Sequence, residues 1–395
     1  MTIEQKEIDQ VKTGMLLLVK LLNYDELNII VPNADTFINK FQNLIQKSCK
    51  KLSNCRILKT SIPSEISIIL PDDLRLAEKL AYSIYSDSQL YVDQEFPNTY
   101  FRCATGSIKF FPEQKLSFEK LKSILIHGIS SSRNQNYYYS YDDNPINLDD
   151  LQSRNANVNL LRSSLLRKKI KFAYQPIIER KSGNIEYYEC LLRVDDGNDN
   201  FVSVGSMIED AEEKGLIGII DFTVINMVIA ELVKEKDIKL SVNISNSGVL
   251  SEQLLKNIKS LLNKNPVADR LIIEITETSL NLDFATTKKF IDSLHKYGCR
   301  FALDDFGSGF TSFKQLINLP IDIIKIDGSY IRDILSNNHS KFFVEALIGL
   351  ATDLGIKTVA EFVENAEIAQ FLAETKIDGM QGNFFLPASC SRDLV

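Results

Sequence analysis

The sequence predicts two domains: a smaller α+β domain over residues 1–145 and, after a junction at 146–155, an α/β domain over 156–395 with a TIM-like (β/α)8 barrel containing one antiparallel strand. Three observations carry this expectation. At 395 residues the chain is longer than one ordinary core requires. From Lys171 onward, apolar runs of strand length alternate strictly with helical periodicity, whereas the first part mixes strands and helices. The first two strands of the second part are joined by only Lys181-Ser182-Gly183-Asn184, a hairpin turn too short for a parallel crossover.

Composition narrows the class. A hydrophobic content of 44% and a charged content of 25% are those of a soluble globular protein. The net charge of −7 argues against DNA or RNA as a partner, because both ask for a basic face, and leaves open a small anionic ligand held through metal. The six cysteines, Cys49, Cys55, Cys103, Cys190, Cys299 and Cys390, include no CxxC pair. They match reduced cytoplasmic thiols better than a disulfide framework or a zinc site. The early apolar run Met15–Leu22 is short and interrupted by Lys20, so it reads as a strand, and neither a signal peptide nor a membrane span is expected.

The first domain reads in order as a strand over 12–22, a helix over 34–52 with Phe37, Phe41, Leu44 and Ile45 at helical spacing, and a hairpin. The hairpin joins Arg56-Ile57-Leu58-Lys59 to Ile66-Ser67-Ile68-Ile69-Leu70-Pro71 through a turn containing Pro63. A helix over 73–85, a strand over 100–110 and a helix over 117–130 follow. Polar and turn-forming residues then cluster at Asp142-Asp143-Asn144-Pro145-Ile146-Asn147, ahead of a helix over 148–167. The aromatic run Tyr137-Tyr138-Tyr139 reads equally as a strand or as an interdomain contact.

The order of these elements, the strand ending Ile68-Ile69-Leu70-Pro71 and the segment Ser132-Arg133-Asn134-Gln135-Asn136-Tyr137 resemble a GGDEF domain, the fold of diguanylate cyclases. Where that family has Gly-Gly-Asp-Glu-Phe this chain has Ile62-Pro63-Ser64-Glu65-Ile66. The glycines that let backbone approach a nucleotide are gone, and so is the metal-holding pattern. The resemblance therefore implies a degenerate domain that regulates, dimerises or docks an unknown protein partner.

In the second domain the sequence places strands at 171–178, 185–194, 239–245, 270–276, 300–306, 322–327, 357–362 and 379–385. A helix is expected over 203–214, with Val204, Met207, Ile208 and Ala211 on one face and Gly215 ending it. Barrels of this type carry their chemistry at the C-terminal ends of the strands. Polar residues interrupt apolar runs there at Glu189, Asn243, Glu274, Asp304, Asp305, Lys325, Glu361 and Gln381. Taken alone, Asp304-Asp305-Phe306-Gly307-Ser308-Gly309 reads as well as a surface turn as it does as a metal site. Eight such residues on one barrel face are not accounted for by packing, because an unpaired charge in an apolar strand is unfavourable.

Five acids, Glu189, Glu274, Asp304, Asp305 and Glu361, against Lys325 and Arg193 leave a charge of −3. Such a cluster needs cations before it can hold together or admit a phosphate. Hard oxygen donors and one Asn suit Mg²⁺ or Mn²⁺, and two ions about 3.5–4 Å apart are the usual arrangement for in-line attack on a phosphodiester.

The ordered segments Tyr174-Gln175-Pro176-Ile177, Glu189-Cys190-Leu191-Leu192-Arg193, Val242-Asn243-Ile244-Ser245, Glu274-Ile275-Thr276-Glu277, Asp304-Asp305-Phe306-Gly307, Lys325-Ile326-Asp327, Ala360-Glu361-Phe362-Val363-Glu364 and Gln381-Gly382 resemble the motifs of EAL-domain phosphodiesterases. That resemblance implies metal-dependent hydrolysis of cyclic di-GMP to linear pGpG. It implies Glu189, Asn243, Glu274 and Asp304 as ligands of one ion, Asp304 and Asp305 as ligands of the second, and Lys325 and Glu361 as the residues that position and activate water. Arg193 is implied to take a substrate phosphate, Gln175, Leu191 and Gln381 to line the guanine and ribose side, and Glu277 and Glu364 to support loops. A homodimer through the barrel is implied as well. This chain departs from the family at Cys190 for Ala, at Phe362 for Gly after the strand-seven Glu, and at Asn383 and Pro387 in the guanine-side wall. The competing expectation is a catalytically silent cyclic di-GMP receptor that signals to a protein partner. A His-Asp metal site is not expected, because His127, His295 and His339 form no His-Asp pair in the sequence.

Overall fold

The computed structural model describes residues 3–32, 34–52, 55–58, 62–131, 137–198, 200–307 and 313–392, which fall into two compact units, Met1–Leu151 and Gln152–Val395. In the first unit the described strands are β1 (Gly14–Leu21), β2 (Arg56–Leu58), β3 (Glu65–Leu70), β4 (Cys103–Phe110) and β5 (Tyr138–Ser140), in the sheet order β2-β3-β1-β4-β5. Only the β4–β5 pair is parallel.

The central strand β1 shows why the early apolar run belongs to a strand buried on both faces. Its side chains alternate, so Met15, Leu17, Val19 and Leu21 pack with Phe37, Phe41, Ile45, Leu80 and Ile84 from helices Ala34–Lys50 and Leu74–Gln89. Leu16 and Leu18 face the other way, into Ile108, Phe118, Leu121 and Leu125. The aromatic run resolves as a strand, with Tyr138–Ser140 forming β5 and Tyr137 stacked on Tyr85 at 4.6 Å between ring centroids. Helix Tyr24–Ile30 has no counterpart in the sequence reading, because its apolar positions are too few to set a period. The Ser132–Asn136 segment lies outside the described residues.

In the turn before β3, the Glu65 N–H donates to the Ile62 carbonyl at 3.1 Å. The buried Glu65 carboxylate is paired with Lys122 at 2.7 Å, so this acid is held inward by a cation.

The second unit is a closed mixed barrel. Its described strands are β6 (Ile170–Glu179), β7 (Ile185–Asp195), β8 (Phe201–Ser203), β9 (Leu240–Asn243), β10 (Leu271–Thr276), β11 (Arg300–Phe306), β12 (Ile323–Ile326), β13 (Lys357–Ala360) and β14 (Gly379–Met380). Around the barrel the order is β6-β14-β13-β12-β11-β10-β9-β7, and pairing of β7 with β6 closes it; β8 lies outside, against β7. The reversed strand is β6, antiparallel to both of its neighbours. The last strand is shorter than the 379–385 expected: only Gly379 and Met380 pair, because the chain turns at Gly382, where the Val363 backbone fills the space a Cβ would take.

Inside the barrel, Ile177, Tyr187, Ile272, Ala302, Ile323 and Val359 form one packed layer. Each lies two residues before Glu189, Glu274, Asp304, Lys325 or Glu361 on its strand, or two after Gln175 on the reversed strand. A period of two therefore stacks the polar layer directly on the apolar one. The larger core lies between the barrel's outer face and the helices, where Leu303 and Ile324 meet Phe290, Leu294, Leu347 and Ile348. Because Leu303 is fully buried there, a Leu303→Ala variant is expected to lose about 2–5 kcal/mol of barrel stability in urea unfolding, and a loss below about 1 kcal/mol would show that this layer is loosely packed.

Candidate active site

Every strand of the barrel contributes to one polar end. Parallel register sets Glu274 beside Asn243 and Ala302, and Thr276 beside Asp304, while Lys325 pairs with Val359. Gln175, on the reversed strand, lies opposite Glu189. The strands thus deliver to one place the residues that the sequence scatters over most of the second unit.

The centre is Lys325, fully buried, with its Nζ 2.7 Å from Glu274, 2.8 Å from Glu361, 2.9 Å from Asp304 and 3.1 Å from Glu189. Asn243 donates its amide to Glu189 Oε1 at 2.8 Å. The Gln381 amide donates to Glu189 Oε2 at 2.7 Å and to Gln175 Oε1 at 3.0 Å. Those two amides fix both oxygens of Glu189 and leave the remaining acids facing the lysine.

One cation for four carboxylates distributes protons unevenly. Burial works against the charged lysine, yet the carboxylates of Asp304, Glu189, Glu274 and Glu361 hold its pKa well above the ordinary value. Burial would raise Glu189 too, but Lys325 and the donors Gln381 and Asn243 outweigh it and hold its pKa below the usual range. Burial and then the Glu189 charge push Glu274 up to about 8. Asp304 and Glu361 are likewise raised, burial being the main cause. Asp305, less enclosed, rises to about 6 through burial and the neighbouring Asp304.

The donor set fits divalent cations. Buried oxygens of Glu274 (Oε1) and Glu361 (Oε2) have no hydrogen-bond partner among the described residues. Asp304, Asp305 and Glu361 can each offer an oxygen such that the three lie within 4.8 Å of one another. Oxygen donors in this number, with an Asn amide oxygen available at Asn243, suit Mg²⁺ or Mn²⁺.

Asp305 reaches the cluster through a backbone irregularity: β11 slips against β12 between Leu303 and Phe306, and Asp305 takes a left-handed φ of 53°. Asp tolerates that region through its short polar side chain. The Gly307 N–H then donates to the buried Glu277 Oε2 at 3.2 Å, and Tyr330 donates its hydroxyl to the Gly307 carbonyl at 3.1 Å. Residues 308–312, the rest of the loop singled out in the sequence, lie outside the described residues. Phe362 also has a left-handed φ, 51°, which explains why a glycine suits this position; its half-exposed ring lies under the Arg332 guanidinium at 4.4 Å. Glu364 lies 3.8 Å from the same arginine.

Two cavities share Leu191, Asp304 and Asp305 in their linings. One, about 340 Å³, is lined by Gln175, Glu361, Phe362, Glu364, Gln381 and Asn383. The other, about 420 Å³, has apolar walls from Leu192, Val204, Ile217 and Val224, with Arg193, Asn243 and Asp221 as polar groups. Arg193 donates to the Leu192 carbonyl at 3.0 Å, and partial burial lowers its pKa.

Asp221, on the wall of the larger cavity, is a buried acid that the sequence reading did not single out. It is buried on helix Ile217–Lys234 and accepts the Ser245 N–H at 3.2 Å and the Ser245 hydroxyl at 2.6 Å. Its signal was a lone carboxylate in the apolar run Ile217-Gly218-Ile219-Ile220-Asp221-Phe222, on the face that turns inward. The histidines do provide one acid contact, since His295 Nε2 lies 2.9 Å from Asp322. That pair is at the N-terminal end of β12, away from the cluster, where Asp322 also accepts the Phe301 N–H.

The fold and site together define a mixed eight-stranded barrel with a ring of acids around a buried lysine at its polar end. Residues 158–388, more than half of the chain, match the EAL domain family, and the chain belongs to that family. Among curated relatives, the cyclic di-GMP phosphodiesterase PdeF of Escherichia coli (strain K12) is 33% identical over 239 residues, covering 59% of this chain and 32% of PdeF. The chain spans about a third of the length of the curated relatives it matches. The solved phosphodiesterase PaMucR in complex with c-di-GMP shares 25% identity at a TM-score of 0.55 over 60% of this chain and 99% of its own. A Vibrio cholerae LapD structure comprising S helix, GGDEF and EAL parts covers 98% of this chain and 93% of its own at 21% identity and TM-score 0.55, a likeness of fold.

Burial raises the Asp221 carboxyl to about 6 from an ordinary value of 3.8. A raised acid adds stability below its unfolded pKa and loses it as pH climbs through the folded one. Across the window from that ordinary value to about one unit above the raised one, the wild type should therefore lose on the order of 1–3 kcal/mol through this group. Asp221→Asn should remove that slope and be more stable than the wild type above the window; identical pH–stability curves would contradict the assignment.

Proposed function

We propose that this chain hydrolyses cyclic di-GMP to linear pGpG, and that its first unit is a regulatory GGDEF-like domain without cyclase activity. The observation that carries the reading is the convergence of Glu189, Glu274, Asp304 and Glu361 within 3.1 Å of one lysine Nζ, with Asn243 and Asp305 beside them. Divalent cations held by Glu189, Asn243, Glu274 and Asp304 on one side and by Asp304 and Asp305 on the other would supply an acidified water and neutralise phosphate charge.

The chain's own groups divide the remaining work. Lys325, kept protonated by its surroundings, donates a hydrogen bond that orients the attacking water, and Glu361, which would be ionised once cations neutralise the neighbouring acids, accepts the proton it releases. The water oxygen bonds to phosphorus, one P–O bond to the ribose breaks, and the departing oxygen takes a proton from solvent to leave a hydroxyl. Arg193 holds a phosphate oxygen. Two cavities of similar size share Leu191 in their linings, which suits a ligand made of two like halves. In the larger one, the Asp221 carboxylate matches the paired N–H donors on the edge of guanine, as an acceptor-only group should. In the smaller one, the Phe362 ring offers a face for the other base.

The first unit supports a regulatory part. Its turn lacks both glycines, and its remaining acid is turned inward to Lys122. Glu277, through Gly307, ties the loop that follows Asp305 to β10's end, which makes it a support for the second cation site.

Purified protein incubated with cyclic di-GMP and Mg²⁺ or Mn²⁺ is expected to form pGpG, followed by chromatography. Glu189→Ala should lower the rate by at least about a thousandfold. Tight binding without turnover in either metal would replace the enzyme reading with that of a receptor.

A further inference from the structure

We infer that Arg392 is a positioning residue that locks the wall of one cavity to the helix that floors the other. The inference rests on the reading that one ligand spans both cavities. After Gln381 the chain turns through 382–388, and Gly382, Asn383 and Ala388 face the smaller cavity. The outgoing limb of this wall is fixed by the Gln381 N–H to Ala360 and the Phe384 N–H to Val363, at 2.8 and 3.1 Å. The returning limb is fixed by a single antiparallel bridge between Ser389 and Tyr174, with N–H to O distances of 2.7 and 3.1 Å. Tyr174 immediately precedes Gln175 on β6, so this bridge sets the wall against the strand that carries a site residue.

Beyond the bridge, the Ser391 N–H donates to Ser389 Oγ at 3.2 Å, and the turn brings Arg392 back over the Tyr174 ring at 4.7 Å. Its Nη2 lies 2.8 Å from Glu231 and 3.7 Å from Glu235. Arg392 and Glu231 are mostly shielded from solvent, with 19% and 23% of their side chains exposed, so the pair is stronger than a surface ion pair. Glu231 belongs to helix Ile217–Lys234, which supplies Ile217, Ile220, Asp221 and Val224 to the larger cavity. One guanidinium, three residues beyond the wall's bridge at Ser389, therefore touches the strand and the opposite helix. Preorganising both half-cavities in this way removes an ordering step from ligand binding. The acid cluster is not touched, so the effect belongs to binding rather than to bond breaking.

Arg392→Ala and Glu231→Ala are each expected to raise KM about five- to tenfold with kcat within about twofold, and to be non-additive when combined. In the ligand-free protein, amide hydrogen exchange in 382–389 should accelerate about tenfold. The charge swap Arg392→Glu with Glu231→Arg should recover part of both effects, and it retains a test if a single variant folds poorly. Unchanged exchange and KM, or equal loss in all variants accompanied by a lowered Tm, would overturn the lock. A wild type inert towards cyclic di-GMP would instead remove the preceding functional reading, while faster exchange confined to 382–389 would still support the contact.

Discussion

The site depends on a mismatch of charge that the fold does not relieve by itself. Lys325 is buried among four carboxylates, one cation where neutrality would take four. A low-dielectric interior makes each attraction strong and each unmet repulsion equally strong. The result is an asymmetry among chemically similar acids: Glu189, with two amide donors besides the lysine, stays ionised, while Glu274 and Glu361 are pushed towards their protonated forms. Cation binding would convert this arrangement from frustrated to satisfied, which is the physical argument for the ring of acids as a candidate binding site.

The scaffold makes this tolerable by stacking. One residue pair below each acid the barrel is filled by Ile177, Tyr187, Ile272, Ala302, Ile323 and Val359, so the charged layer rests on a dry plug and opens only one way. The local exceptions to regular backbone fall at the rim. Asp305 and Phe362 both adopt left-handed φ values, and each turns a side chain from a strand end towards a cavity. Strain of this kind persists where surrounding structure over-determines it, here through the Glu277–Gly307 bond and the Arg332–Phe362 stack.

Much of this was legible in the sequence, and the reasons are specific. Strand periodicity located the barrel, because a fully apolar run such as Leu271–Ile273 or Ile323–Ile324 that ends on a single charge suits a barrel strand opening onto a polar site. The short turn at Lys181–Asn184 disclosed the reversed strand. What stayed hidden was tertiary. Nothing in the spacing shows that Lys325 contacts four acids at once, since those contacts join positions up to 136 residues apart. Asp221 escaped because it lies on a helix, while attention to strand ends selects only strands. The two-residue β14 was read as seven residues because Phe384 and Phe385 continue an apolar pattern without continuing the pairing.

The reversed first strand also governs the order of events in the protein's synthesis. Its outer edge waits for Gly379 and Met380, which pair with Glu179 and Ile178 from the opposite end of the barrel sequence. Until that segment has left the ribosome, the nascent unit is an unclosed sheet with β6 held on one side only, and its acid ring lacks Gln381. Contacts of such long range are slow to form and leave edges exposed to other chains meanwhile. Barrel closure thus waits for its last strand, and the polar end is assembled last.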